Sequence, residues 1–436
     1  MRVRGFIKVN ANGELVIGKD ILRQVLSEQH RIILQRLEGI EREVLTQLGE
    51  KTKLPHVIII TGVRRCGKST LMRQVIKRYY HDAAFFYVNF EDERLVNFQA
   101  EDFNQIYETL VELFGPQKTF FIDEIQNVEG FERFVRRFAE EGFKFYITGS
   151  NAKLLSRELG TILTGRHVNV LLKPFSFREY LQTKKVAFDP ARLLITTDRA
   201  DVKKAFEEYL LNGGMPEHVL FHDPDILVHI YDDIVLKDIA VRYHITNLRA
   251  LREIYSYLIS NVGQKFSYNN LAKLVHVNSA NTIKKYIEYL EGTYLGCMVE
   301  KFDYSVKKQL MNDKKLYILD NGFIPRISRK AMQDRGWLLE NVVFTVLFGT
   351  GQVFYYATKR ECDFLLVKEN KIGQAIQVCY ELSETNRNRE LQGLVDCMTQ
   401  CNLLEGYLLT YDQQEEIATG GKLVHVIPVW KWMLEK

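Results

Sequence analysis

Long apolar runs, paired cysteines and a strong charge bias are all missing from this chain, and each absence removes a class of protein. No uninterrupted hydrophobic stretch approaches the ~20 residues that cross a bilayer, so no membrane partner is expected. Met1-Arg2-Val3-Arg4-Gly5 leads into polar residues rather than the core of a signal peptide. The six cysteines include no C-x-x-C pair, which argues against a disulfide framework and a zinc site and points to a reducing, cytoplasmic compartment. A net charge of only +4 means that any nucleic-acid binding has to come from local basic clusters. Nor is disorder indicated, because 46% hydrophobic and 26% charged residues are ordinary for packed domains. At 436 residues, about two to four such domains are expected.

What is present is a phosphate-loop pattern. Gly62-Val63-Arg64-Arg65-Cys66-Gly67-Lys68-Ser69 fits G-x-x-x-x-G-K-[ST], directly after the apolar run Val57-Ile58-Ile59-Ile60 and directly before the helical Thr70-Leu71-Met72-Arg73-Gln74-Val75-Ile76. The spacing has a physical reason. Glycines let backbone N–H groups curl round an anion, and the helix N-terminus adds its positive dipole end. Lys68 is expected to reach the outer phosphates and Ser69 to ligate magnesium, with Gly62, Arg64, Arg65, Gly67 and Thr70 completing the loop around ATP or GTP. A second cluster turns binding into hydrolysis. Thr119-Phe120-Phe121-Ile122 is an apolar strand ending in Asp123-Glu124, a Walker B arrangement at the carboxyl edge of a parallel sheet. Asp123 would hold the magnesium and Glu124 would polarise the attacking water.

Along the chain, residues 1–50 read as a small hairpin and one long helix from about Asp20 to Leu48, with Leu22, Val25, Leu26, Ile33, Leu37, Ile40, Val44 and Leu48 on one stripe. Residues 51–185 alternate strand and helix, which predicts a doubly wound parallel sheet. The strand at Lys144 to Thr148 ends in Gly149-Ser150-Asn151, where Ser150 or Asn151 would either sense the γ-phosphate or cap a helix. Leu163-Thr164-Gly165-Arg166 presents an arginine that would stabilise transition-state charge, with Arg157 as its rival. Residues 186–245 are helical in pattern, a lid or linker whose turn Gly213-Gly214-Met215-Pro216-Glu217 carries no assignable chemistry.

Residues 246–330 suggest a winged helix, in which Ile283, Ile287 and Leu290 form the buried stripe of the third helix and Asn281, Thr282, Lys284 and Lys285 face outward. A basic wing carrying Lys307 and Lys308 would then meet DNA phosphates while the helix enters the major groove. Winged helices also dock proteins, so both partners stay open. In residues 331–436, Glu340, Asp363 and Gln377 fall where a restriction-endonuclease-like core puts its metal ligands. Such a core continues acid-x-Lys, whereas here the run is Gln377-Val378-Cys379, so the lysine is missing unless a loop carries Lys359 or Lys371 inward. The expectation is an inactive nuclease-like domain.

The whole chain from about residue 20 onward resembles prokaryotic AAA-like ATPases that carry a C-terminal domain of unknown function, combining a winged helix with a nuclease-like fold. The resemblance rests on residues 62–70, on Phe121-Ile-Asp-Glu-Ile-Gln126, Ile147-Thr-Gly-Ser-Asn151, Leu163-Thr-Gly-Arg166, Pro174-Phe-Ser-Phe-Arg-Glu179, Gly213-Gly-Met-Pro-Glu217 and Glu361-Cys-Asp-Phe364. It implies an α/β P-loop sheet followed by a helical lid, a winged helix and a restriction-endonuclease-like α/β domain. It also implies ATP rather than GTP and a nucleotide-driven switch or motor. Three functions follow as expectations: a magnesium-dependent ATPase acting on DNA, a signalling or defence ATPase that docks proteins, and an ATP-gated nuclease. Arg166 acting in trans would make the protein a homo-oligomer. Two cysteines are marked out, Cys66 as a point where the loop would be oxidisable and Cys379 as the residue that weakens the nuclease reading.

Overall fold

The computed structural model describes residues 7–9, 15–81, 84–149, 163, 165–187, 189, 195–328 and 335–436. They fall into two compact units, residues 1–172 and 173–436.

The first unit opens with a hairpin of β1 (Ile7–Val9) and β2 (Leu15–Ile17). Its main sheet holds β3 (Val57–Thr61), β4 (Phe86–Asn89), β5 (Thr119–Asp123), β6 (Lys144–Gly149) and β7 (His167–Leu171), all parallel, in the order β4-β5-β6-β3-β7. Side chains alternate across a strand, and both sets here are apolar and buried, as a sheet covered on two faces requires. One set, including Ile59, Val88, Phe120, Ile122 and Ile147, packs with the helices Lys19–Gln35, Phe103–Phe114 and Phe131–Glu140. On the other face, Phe121 and Tyr146 stack at 4.5 Å between ring centres and Tyr80 meets both edge-on. The chain leaves β3 for the far edge, returns through β5 and β6, and then places β7 on the opposite side of β3. That reversal makes the carboxyl end of β3 the topological switch point, where open sheets of this kind hold ligands.

The long N-terminal helix expected over 20–48 is instead broken. One helix ends at Gln35 and the next spans Val44–Thr52. Between them Gly39 adopts φ +60° and the Gln74 amide donates to the carbonyls of Glu38 and Ile40 at 2.7 Å each. Leu37, placed on the buried stripe by spacing, is 86% exposed. Tertiary hydrogen bonds to an irregular loop outweigh the local helical period.

The second unit begins with helices at Phe177–Thr183, Thr196–Asn212, Pro216–Phe221 and Asp225–Asp233, the last running into Ile234–Val241. The glycine-rich turn at 213–217 has a structural role: the Gly214 N–H donates to the buried Asp320 carboxylate at 2.6 Å, and the Gly322 N–H does so at 2.9 Å. Burial pushes the Asp320 carboxyl up to about 7. Next come the helices Leu248–Ser260, Tyr268–Leu274 and Ala280–Gly292, with β8 (Lys265–Phe266) between the first two. β9 (Gly296–Lys301) and β10 (Lys314–Ile318) follow, and the antiparallel order is β9-β10-β8. Ile283, Ile287 and Leu290 are fully buried while Asn281, Lys284 and Lys285 are exposed, the division that 3.6-residue spacing predicts. The wing expected as a basic loop contains a helix, Val306–Met311. It exposes Tyr304, Val306, Leu310 and Met311 as well as Lys307 and Lys308.

β9 also pairs in parallel with β11 (Gln352–Ala357), so the sheet continues through β12 (Glu361–Lys368), β13 (Lys371–Val378), β14 (Glu405–Thr410), β16 (Lys422–Pro428) and β15 (Glu415–Thr419), nine strands in all. The helix Arg387–Gln400 packs on it through Leu394, Cys397 and Met398. Two further strands thus follow β14 in sequence. The β15–β16 hairpin, turned at Gly420-Gly421, was missed.

Candidate active site

The candidate site lies wholly within the first unit, at the carboxyl ends of β3, β5 and β6. The loop from Gly62 to Lys68 links β3 to the helix Lys68–Val75, with Gly67 left-handed at φ +100°. At Gly62 only glycine fits, since a Cβ there would sit 2.2 Å from the Leu172 carbonyl oxygen. The Lys68 ammonium, 5% exposed, donates to the carbonyls of Gly62 and Val63 at 3.3 and 3.4 Å and lies 3.7 Å from Glu124 Oε1. Arg64 pairs with Glu91 at 3.3 Å, Arg65 is exposed with φ +61°, and Thr70 is half-buried one turn into the helix.

Asp123 and Glu124 end β5 with opposite surroundings. Asp123 is buried. Its Oδ2 accepts from Tyr87 at 3.2 Å, its Oδ1 accepts from the Thr148 hydroxyl, and Ser69 also bonds to it. Desolvation, and then the neighbouring Glu124, hold its carboxyl above the usual range against the pull of Ser69, Thr148 and Lys68. Such a desolvated carboxylate beside a serine hydroxyl fits a divalent cation, whose charge would offset both unfavourable terms. Glu124 is only partly buried. It adopts φ +52°, a left-handed backbone that costs a non-glycine residue about 1–3 kcal/mol, and its Oε2 accepts from Gln126 at 2.5 Å.

Two contributors were not anticipated. Thr148 on β6 accepts from the Glu124 N–H at 3.1 Å and donates to Asp123, so one hydroxyl sets both carboxylates. A polar residue closing the apolar run Phe145-Tyr146-Ile147 was the available signal. Arg42, in the loop between the first two helices, is buried and donates to the Cys66 carbonyl at 2.9 Å, fixing the phosphate loop from outside. No spacing rule points to it.

The structure bears on two expectations. Cys66 is not an oxidisable point: it is fully buried, and burial pushes its thiol up against the pull of Lys68 and Arg42. Arg166 is exposed at the start of β7, where its carbonyl accepts from Val57 at the amino end of β3. It stands at the end of the strands opposite the loop, a strand length of roughly 13 Å from it. Ser150, Asn151 and Arg157 lie outside the described residues.

In the second unit, Glu340, Asp363 and Gln377 do line one cavity of about 760 Å³. Lys359 lines the same cavity, but the ammonium in contact with the acids is that of Lys315 on β10, at 3.2 Å from Glu340, 2.6 Å from Glu361 and 3.7 Å from Asp363. Sequence reasoning missed it because β10 lies far from the acid-x-Lys position. A charged residue opening the buried strand Leu316-Tyr317-Ile318 was the signal. Cys379 sits at the cavity wall with its thiol pushed up to about 12 by burial.

A family profile described as an AAA domain matches residues 54–181, and one described as a domain of unknown function matches residues 203–334. The chain is 33% identical over 442 aligned residues to the uncharacterized protein MJ1544 of Methanocaldococcus jannaschii, covering 96% of this chain and 98% of that protein. It is 32% identical over 413 residues to an uncharacterized protein of Haemophilus influenzae, covering 91% and 99%. Among solved structures, the RuvB Holliday junction branch migration motor of Thermotoga maritima overlaps at a TM-score of 0.29 and 17% identity, covering 64% of this chain and 89% of that one, too loosely to bear on function. No helix among the described residues is long and apolar enough to cross a membrane.

Proposed function

Because this chain belongs to the family of the Methanocaldococcus and Haemophilus proteins that match it along nearly their whole length, and carries an AAA-type P-loop domain, we infer that it is a magnesium-dependent ATPase working as a nucleotide-driven switch or motor on DNA. The observation that carries the ATPase reading is the meeting of Lys68, Ser69, Asp123 and Glu124 at the switch point of the sheet. Lys68 rests on neutral carbonyls of its own loop, so phosphate oxygens can replace them at little cost. Ser69 and Asp123 would hold the magnesium, which neutralises charge on the phosphates. Glu124 polarises the attacking water. Its bond to Gln126 and its approach to Lys68 engage that carboxylate until Lys68 turns to the phosphates. If Arg166 contributes, it does so to the site of a second copy of the chain.

The DNA reading rests on the second unit. Three helices and a β9-β10-β8 sheet follow the connectivity of a winged helix, and the exposed Lys284, Lys285, Lys307 and Lys308 are placed to meet phosphates. The exposed Tyr304, Val306, Leu310 and Met311 favour the second reading, a protein-docking wing on a signalling ATPase. Six buried, unbridged cysteines suit a reducing cytoplasm. Phosphate release measured with and without duplex DNA separates the readings. Stimulation by DNA, abolished by chelating magnesium, is the expected result. Turnover indifferent to DNA would move the assignment to protein docking, and the absence of turnover would remove the ATPase.

A further inference from the structure

Lys315 is 2% exposed, and its ammonium is surrounded by carboxylate oxygens from two elements. Glu340 comes from the helix Gly336–Leu347, while Glu361 and Asp363 come from β12. Three carboxylates converging on one buried positive centre is the arrangement that binds a cation, and here the cation is a side chain. The surrounding bonds are already committed. Tyr317 donates to Glu340 Oε1 at 2.5 Å, Lys265 pairs with Glu361, and the Val378 N–H donates to Asp363 Oδ2 at 2.9 Å. The Gln377 oxygen accepts from the Asp363 N–H at 3.2 Å, and its amide donates to Glu390 at 2.8 Å. Burial, and then Glu340, hold the Asp363 carboxyl well above its usual range despite Lys315, while Lys315 and Lys265 outweigh burial to hold Glu361 below its own. Lys315 and Lys265 thus meet the carboxylates of Glu340, Glu361 and Asp363 from within the protein, which leaves little for a metal to meet. As the side chains stand with Lys315 in place, no group of three or more His, Cys, Asp or Glu among the described residues could hold a metal ion.

We propose that the Lys315 ammonium permanently occupies the cation position of this cavity, so that the domain is independent of metal as it stands and becomes a divalent-cation site once that charge is removed. Electrostatics give the sign. A like charge at contact distance repels an incoming divalent ion, and its loss leaves Glu340 and Asp363 without this counter-ion and Glu361 with Lys265 alone. The proposal is independent of the ATPase reading, because every residue in it belongs to the second unit.

The test uses the full chain carrying Asp123→Asn, so that the phosphate-loop site contributes no metal binding. Manganese is titrated without nucleotide and followed by electron paramagnetic resonance. The parent should show no site that depends on Asp363. Lys315→Met should gain one manganese per chain, bound roughly 100-fold or more tighter than any site in the parent. Adding Asp363→Asn to that variant should abolish the gain. Thermal unfolding supplies a second readout, with manganese raising the Tm of Lys315→Met and leaving the parent unchanged. A parent that binds manganese and loses it with Asp363→Asn overturns the proposal, as does metal-dependent DNA cleavage that Lys315→Met abolishes. A folded Lys315→Met chain that binds none also overturns it. Should Lys315→Met fail to fold, the parent and its Asp363→Asn variant decide: an Asp363-dependent site refutes the proposal and its absence supports it.

Discussion

Each unit buries a lysine beside carboxylates, and the two are held in different ways. Lys68 leans on two carbonyl oxygens at 3.3 and 3.4 Å, with Glu124 Oε1 at 3.7 Å. Lys315 touches carboxylates at 2.6 and 3.2 Å with a third at 3.7 Å. Neutral acceptors can be exchanged for phosphate oxygens with little loss, because a carbonyl left behind can find other donors. Carboxylates abandoned in a buried site cannot, since each is left as an uncompensated charge costing about 3–5 kcal/mol. A buried lysine among acids is therefore not evidence of catalysis in itself; what it would leave behind on moving decides whether it is poised or locked.

The comparison breaks first at the poised site. Glu124→Gln should lower ATP turnover roughly 1000-fold while leaving nucleotide affinity within a few fold, read by phosphate release and calorimetry. Unchanged turnover would remove Glu124 as the residue that orients water. Lys68→Ala should weaken ATP binding by about 100-fold, and normal affinity would mean that Lys68 is as locked as Lys315.

Asp320 sharpens the comparison as a buried carboxyl held by backbone N–H groups, with its proton-binding range raised to about 7. The folded chain thus keeps a proton that the unfolded chain releases near pH 4, so this contribution to stability is complete below about pH 4 and lost as pH rises through 7. Relative to Asp320→Asn, which stays neutral, the parent should lose on the order of 4 kcal/mol across that window, measured by denaturant unfolding. A constant difference would show Asp320 ionised throughout.

Smaller effects are expected at the surface. Replacing Lys284, Lys285, Lys307 and Lys308 with glutamine should flatten the salt dependence of DNA binding by up to about 3 in logarithmic slope. An unchanged slope would favour the exposed apolar side chains of the wing as the functional surface. Least of all, iodoacetamide should leave Cys66 and Cys379 of the native protein unlabelled at neutral pH, since burial raises both thiols. Rapid labelling of Cys66 would mean that the phosphate loop opens.

The parts of this molecule legible in its sequence are those written in short spans. The phosphate loop and the Asp123-Glu124 pair sit at the ends of apolar strands, and the helix at Arg387–Gln400 follows its own period. Arg42, Thr148 and Lys315 were out of reach because each acts through a neighbour distant in sequence. Other misses had local signals. Gly39 marked the break in the first long helix, and Gly420-Gly421 marked a hairpin between two alternating runs. The edge on which Arg166 stands follows from strand direction alone: a residue just before a parallel strand lies at the end opposite a loop that follows its neighbour.

The pairing of β9 with β11 spans only Phe354 with Glu300 and Tyr355 with Lys301, yet it makes one sheet of what would otherwise be two. A truncated chain ending near residue 330 would strip β9 of that neighbour and leave Glu300 and Lys301 on a bare strand margin. Open margins of this kind recruit strands from other molecules, so fragments cut at that point should self-associate through it. Dissecting the second unit into freestanding pieces is thus a problem of solubility before it is one of activity.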